Sequence, residues 1–321
     1  MITGAGGFAG SHLAEYLVNK GHDVIGVVSE RGSLALLSAV QYSLQRVRLD
    51  LRNAEAVARL LRETRPQRIY HLASISSKVD RAEQVRSIMQ DITLPTLNLL
   101  CGWREVGFDA RLLLVSSAEV YGATPHTAMP LSEESPLAPA NPYAAAKASS
   151  ELLAILFHRA YGLPTVRVRP FNHTGPRQSE HFVCSALARQ VAEISAGLRP
   201  PRINVGNLAV RRDFSDVRDI IRGYDLLLEN GQAGDVYQLC TGRAVSIQEV
   251  LDSLLALAGS PIQIHLDETR VRKEDVGALW GSFSRAQRAT GWTPGIEFAT
   301  TIEDLLEYWR NRLQSDAAPQ C

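Results

Sequence analysis

"MITGAGGFAGSH" spans residues 1–12, and its reading decides the fold. Gly4, Gly7 and Gly10 form a GxxGxxG run that opens into an amphipathic stretch, "FAGSHLAEYLVNKG" (8–21). Glycines at this spacing allow a tight turn and let a pyrophosphate approach the backbone, its charge resting at the N-terminus of the following helix. A glycine run alone is a weak signal, because turns use glycine for purely structural reasons. Such a loop normally hangs from the end of a buried strand. Here only Met1, Ile2 and Thr3 precede it. Strands average about 5–6 residues, so the first strand is expected to be a stub, with a few native residues missing ahead of it. A start directly on the loop leaves no room for a signal peptide.

Outward from the loop, short apolar runs alternate with helical patterns. The expected strands are "HDVIGVV" (22–28), "LQRVRLD" (44–50), "QRIYHLA" (67–73), "ARLLLVS" (110–116) and "PTVRVRP" (164–170). The expected helices are 8–21, 53–64, a longer one near 79–106, and 142–162. Near-continuous hydrophobic strands alternating with helices predict an α/β fold, a doubly wound parallel sheet covered on both faces. After about residue 171 the rhythm changes, with Pro and Arg frequent and helices dominant. That predicts a dinucleotide-binding domain over 1–170 and a smaller, mixed but mainly helical lobe over 171–321. Part of the second half is expected to return to the first sheet. Ligands in such folds sit outside the carboxyl ends of the strands, so the default site is a cleft between the lobes.

Composition narrows the function. Lys+Arg and Asp+Glu balance at 34 each, which argues against nucleic-acid or membrane partners. No apolar run reaches the ~18 residues of a membrane span. Four cysteines, with no CxxC pair, predict reduced thiols in a cytoplasmic protein. Eight histidines show no ligand spacing, and no metal site is expected.

Two further stretches carry chemistry. The second strand ends in "VVSERGS", where the adenosine ribose is read. An acid there bonds a free 2′-hydroxyl, and an Arg accommodates a 2′-phosphate. Ser29 and Arg31 lean the reading to NADP(H); Glu30 keeps NAD(H) as the alternative. In "NPYAAAK", Tyr143 and Lys147 lie one helical turn apart on one face. A neighbouring ammonium is expected to lower the phenol's pKa and suit it to proton exchange with a sugar oxygen. Such a pair occurs often by chance. Upstream, however, "LLLVSSAEVYG" (112–122) ends a strand with Ser116, Ser117 and Glu119, a hydroxyl and a carboxylate for the same substrate.

The ordered set "GxxGxxG … HLAS … SSAEVYG … PYAAAK … RPFNHTGP … RRDFSDVRD … TGWTP" resembles the extended short-chain dehydrogenase/reductase superfamily, in its nucleotide-sugar branch, over essentially the whole chain. "VRPFNHTGPRQS" (168–179) and "VGNLAVRRDFSDVRDI" (205–220) are similar first to GDP-4-keto-6-deoxy-D-mannose reductases, then to GDP-mannose 4,6-dehydratases. The resemblance implies a Ser117–Tyr143–Lys147 triad with Glu119 beside it. It implies cofactor contacts from Gly4, Gly7, Phe8, Ala9 and Gly10, from Asp50 and Leu51 at the adenine, and from Leu72, Ala73, Ser74 and Pro170. It implies substrate contacts from Asn172, Arg177, Val205, Arg212 and Arg272, and a homodimer built from helices near 85–104 and 143–160. Reduction at C4 of a GDP-4-keto-6-deoxyhexose leads. A 4,6-dehydratase and a 4-epimerase share the fold as alternatives, and a non-catalytic dinucleotide-binding module is the alternative of another class.

Overall fold

The computed structural model describes residues 1–75, 84–124, 128–270 and 277–317. The first half alternates β1 (Ile2–Thr3), α1 (Phe8–Asn19), β2 (Val24–Val28), β3 (Leu44–Arg48), α2 (Ala54–Thr64) and β4 (Arg68–His71). It continues with α3 (Val85–Val106), β5 (Arg111–Val115), α4 (Pro142–Tyr161) and β6 (Thr165–Pro170). The second half runs β7 (Asn172–Thr174), α5 (Val183–Ser195), β8 (Arg202–Val205), β9 (Arg211–Asp216), α6 (Val217–Asn230) and β10 (Val236–Leu239). It closes with β11 (Ala244–Ser246), α7 (Ile247–Ala256), β12 (Gln263–Leu266), β13 (Ala278–Leu279), α8 (Ser284–Thr290) and α9 (Phe298–Ala317). The long helix expected near 79–106 begins at Val85, and its residues 79–83 lie outside the described residues.

A seven-stranded parallel sheet has the order β10-β6-β5-β4-β1-β2-β3. The strand order reverses between β1 and β4, the switch point where a crevice opens at the carboxyl edge. One face packs α1 and α6 over Leu13, Leu17, Ile220 and Leu227; the other packs α2, α3 and α4 over Val57, Leu61, Leu99 and Phe157. The expected stub is real, yet β1 lies inside the sheet. Ile2 pairs with Gly26 on one side and Tyr70 on the other, and is fully buried. The ladder is lengthened by carbonyls at its flanks, Met1 accepting from the Tyr70 N–H at 2.9 Å.

Local chemistry sets the helix ends. Asn53 caps α2 and Asn141 caps α4, where Pro142 takes the first turn that needs no N–H donor. Gly162 ends α4 at φ 70°.

Residues after Pro170 divide between two bodies. α6, β10 and α8 return to the parallel sheet, with Trp292 in its core. The remainder builds a second core between α5, α7 and α9, around Leu187, Val191, Leu251, Leu305 and Trp309. This lobe is mixed but mainly helical, as expected. It carries a four-stranded sheet of β11, β9, β13 and β7, and a β12–β8 pair. These strands are only two to six residues long, so periodicity does not reveal them.

Candidate active site

The glycine loop is shaped by close backbone contacts. Gly4 has φ +74°, and a Cβ there would stand 2.9 Å from the backbone of Ala73. A Cβ at Gly10 would sit 2.1 Å from the Gly4 carbonyl oxygen, so only glycine lets α1 pack onto the loop. Gly7 differs: its Cβ would meet only that oxygen, at 3.3 Å, and the residue is exposed along the cleft. Gly7 also occupies the α1 N-cap without a side-chain cap, leaving first-turn N–H groups for an anion. Gly6 escaped the spacing argument. A Cβ there would lie 2.6 Å from the Ser33 carbonyl, which seats the loop after β2 against the glycine turn.

That second loop carries Ser29, Glu30 and Arg31, all exposed on the cleft wall. Arg48, at the end of β3, holds it. Its Nη1 donates to the carbonyls of Ser29 (3.3 Å), Glu30 (2.8 Å) and Gly32 (3.0 Å). Beside it, Asp50 accepts both Arg52 Nε and Nη2, and these bonds hold its carboxyl below the usual range. Leu51, Leu72, Ala73 and Ser74 continue the wall toward the sheet's centre.

At the far end, β5 delivers Ser116 and Ser117 in opposite directions. The Ser116 hydroxyl turns inward to Glu151. Ser117 accepts the Glu119 N–H at 3.1 Å, and its hydroxyl stands on the Tyr143 side of the cleft, where it acts to lower the phenol's pKa. Asn141 does two jobs: its Oδ1 caps α4, and its Nδ2 donates to Glu119 Oε2 at 2.9 Å. The start of the helix bearing Tyr143 thereby fixes the exposed Glu119 carboxylate at the cleft.

One electrostatic expectation is corrected. Lys147 was expected to lower the Tyr143 pKa. Instead burial, then the Glu119 charge, raise it well above the ordinary tyrosine value, with only the Ser117 hydroxyl opposing. The Lys147 ammonium is held elsewhere, donating to the Val115 carbonyl at 2.9 Å and lying 5.8 Å from the Tyr143 ring centroid. Burial pushes Lys147 itself down to about 8, against the opposing charge of Glu151. The phenol is therefore protonated at neutral pH.

All these groups line one cleft of about 1570 Å³ at the switch point. Ordinary small-molecule pockets measure roughly 300–1,000 Å³, so this one has room for a dinucleotide and a second ligand together. A glycine cradle, free helix-terminal N–H groups and a long wall from Arg31 to Tyr143 fit a dinucleotide. Among the described residues no group of three His, Cys, Asp or Glu side chains is arranged to hold a metal, and no helix is long and apolar enough to cross a membrane.

The sequence profile described as GDP-mannose 4,6 dehydratase matches residues 1–305. The chain belongs to the GDP-mannose 4,6-dehydratase family. A relative named GDP-6-deoxy-D-mannose reductase, from Pseudomonas aeruginosa, is 33% identical over 315 residues, covering 98% of each chain. GDP-mannose 4,6 dehydratase 1 of Arabidopsis thaliana is 28% identical, covering 99% of this chain and 92% of the relative. A solved structure from Pseudomonas aeruginosa, complexed with NADPH, superposes with a TM-score of 0.83 at 32% identity, covering 97% of this chain and 98% of that one.

For this dehydratase-family chain, the cleft gathers most of the residues singled out in the sequence. Gly4, Gly7, Phe8, Ala9, Gly10, Ser29, Arg31, Asp50, Leu51, Leu72, Ala73, Ser74 and Pro170 line it, as do Ser117, Glu119, Tyr143, Lys147, Asn172 and Arg212. Two residues are not brought there. Val205 is buried in the second core at 2% exposure. Arg177, at φ 74°, turns away to pair with Glu15 on α1. Its role is to tie the β7–α5 connection to the first helix. Arg272 lies outside the described residues. The cleft adds Phe182, Val183, Phe214 and Leu279, an apolar wall from the second body. No local pattern marks these residues, because they come from three separate elements or their flanks.

Proposed function

We propose that this protein is an NADP(H)-dependent enzyme that reduces the C4 ketone of a GDP-4-keto-6-deoxyhexose. The observation that carries the reading is the Tyr143 phenol, kept protonated by burial and set beside Ser117, Glu119 and Lys147 on the cleft wall. A phenol kept neutral by burial and a nearby carboxylate is a proton donor for a developing alkoxide. The family match and the reductase relative support the same direction.

Bound NADPH would supply the hydride to C4. Tyr143 gives its proton to O4. Ser117, on the same cleft wall, would hold O4 in line. Lys147, anchored on the Val115 carbonyl, would present its ammonium to the nicotinamide ribose. The first turn of α1 and its glycine loop would hold the cofactor pyrophosphate, Arg31 and Ser29 the 2′-phosphate, and Asp50 and Leu51 the adenine. NAD(H) is the alternative, with Glu30 on the ribose. Arg212 and Asn172 would take the sugar-nucleotide side, where Arg recognises phosphate with a planar fork.

The second reading is 4,6-dehydration, and Glu119 favours it. An exposed carboxylate oriented by Asn141 is what proton removal at C5 would need. Epimerisation at C4 would use the same triad without net consumption of NADPH. Purified protein is to be given GDP-mannose, or its 4-keto-6-deoxy derivative with NADPH, and the products identified. NADPH oxidation matched by ketone loss, retained in Glu119→Gln, is the expected result. Conversion of GDP-mannose without net NADPH use, abolished in Glu119→Gln, would replace the reductase by the dehydratase.

The dinucleotide domain is taken as 1–170 and the substrate lobe as the second core within 171–321. A cytoplasmic homodimer completes the reading. Leu152 and Leu156 are 60% and 52% exposed on one face of α4, next to α3. Two apolar side chains at i and i+4 on an open helix face suit a partner helix.

A further inference from the structure

Tyr224 stands two turns into α6 and is fully buried, at 0% exposure. It packs in the core that joins α6 to α1 and the parallel sheet, and it reaches the wall of the cleft. Its hydroxyl has no hydrogen-bond partner among the described residues. Other buried tyrosines contrast with it. Tyr70 donates to Asp225 at 2.7 Å, Tyr121 accepts from Arg169 at 2.9 Å, and Tyr237 accepts from the Gln232 N–H at 2.8 Å. A hydroxyl buried without a partner is destabilising, and phenylalanine would fill the same space without that cost. The packing of α6 therefore does not account for the hydroxyl. The cleft does.

Tyr224 shares the cleft lining with Tyr143, and α6 packs on β5 and β6, whose ends Val115 and Pro170 also line it, which places Tyr224 toward the catalytic end. Beside the polar groups Ser117, Glu119, Tyr143 and Lys147, that end carries apolar wall from Val115 and Pro170. A nicotinamide ring matches such a wall over its faces but carries one polar substituent, a carboxamide with an acceptor oxygen and an NH₂ donor. We infer that the Tyr224 hydroxyl is a binding group for the nicotinamide carboxamide, pairing when the cofactor enters and fixing which face of the ring meets the substrate. This rests on the reading of the cleft as a nicotinamide-dinucleotide site and adds a residue from the second half of the chain to it.

Tyr224→Phe tests the inference with protein stripped of nucleotide. Its melting temperature should match or exceed that of the wild type, because an unpaired hydroxyl is removed. Its Kd for NADPH by calorimetry should rise ~5–10-fold, the loss expected for one hydrogen bond. Its Kd for 2′,5′-ADP, which fills only the adenosine end, should stay within about twofold of wild type. Unchanged NADPH affinity overturns the inference. So does equal weakening of both ligands, which would mean a distorted site, or a clear fall in the unliganded melting temperature, which would mean an internal partner. A wild-type protein that binds neither NADPH nor NADH would instead overturn the functional reading itself.

Discussion

Arg48→Ala offers a sensitive test of how this chain selects its cofactor. Arg48 never needs to touch the ligand. One guanidinium nitrogen draws the carbonyls of Ser29, Glu30 and Gly32 together, and so sets the path of the loop that carries Ser29 and Arg31. The loop's other anchor is the close approach of the Ser33 carbonyl to Gly6. Removing the guanidinium leaves a segment that must be ordered when a 2′-phosphate binds. Fixing one residue's backbone costs ~1–2 kcal/mol. If about one residue's worth of order is lost, NADPH should bind ~5–30-fold more weakly. NADH lacks the 2′-phosphate and should change by less than about threefold. Arg48 is exposed, so the fold should lose little, within about 1 kcal/mol. Calorimetric titration of both cofactors measures the first effect, and a denaturant melt the second. Combination with Arg31→Ala adds a sharper criterion. If Arg48 acts through the loop, the double variant should lose less NADPH affinity than the sum of the singles. Strict additivity, or equal loss for NADPH and NADH, would refute the reasoning.

Tyr143→Phe should lower turnover ~10²–10⁴-fold, as for loss of an acid group, while the Kd for NADPH stays close to wild type; near-normal turnover would remove the phenol from the mechanism. Gly7→Val should fold, since its Cβ meets only one carbonyl, yet lose cofactor binding by calorimetry. Gly10→Ala, whose Cβ would overlap the Gly4 carbonyl, should be poorly folded by circular dichroism even without ligand. Lys147 sits near pH 8, so its ammonium is lost above that value, and kcat/KM should fall about tenfold per pH unit there. Its contribution to stability has the opposite sign. Between about 8 and the ordinary 10.5 the unfolded chain binds more protons than the folded one, so this group makes stability rise with pH across that window. A flat high-pH limb of the rate profile would contradict the assignment.

The sequence by itself determined the features that are local. The β-α alternation, the glycine spacing and the Tyr143–Lys147 interval are written within one turn or one element, where 3.6- and 2-residue periods apply. Ser117 and Glu119 were legible for the same reason, because a strand end and its turn present them side by side. Only the tertiary structure decided what those groups touch. Lys147 meets the Val115 carbonyl, 32 positions away, and Asn141 reaches Glu119 across 22. Arg177 is spent on Glu15, 162 positions off. Val205 points into the second core because β8 packs under α5. Tyr224 reads in sequence as one more apolar position on a helix; the unpaired hydroxyl exists only once α6 has folded back against the sheet. Periodicity reports which face of an element is apolar. It carries no information about which distant group lies opposite, and hydrogen bonding and desolvation depend on that group.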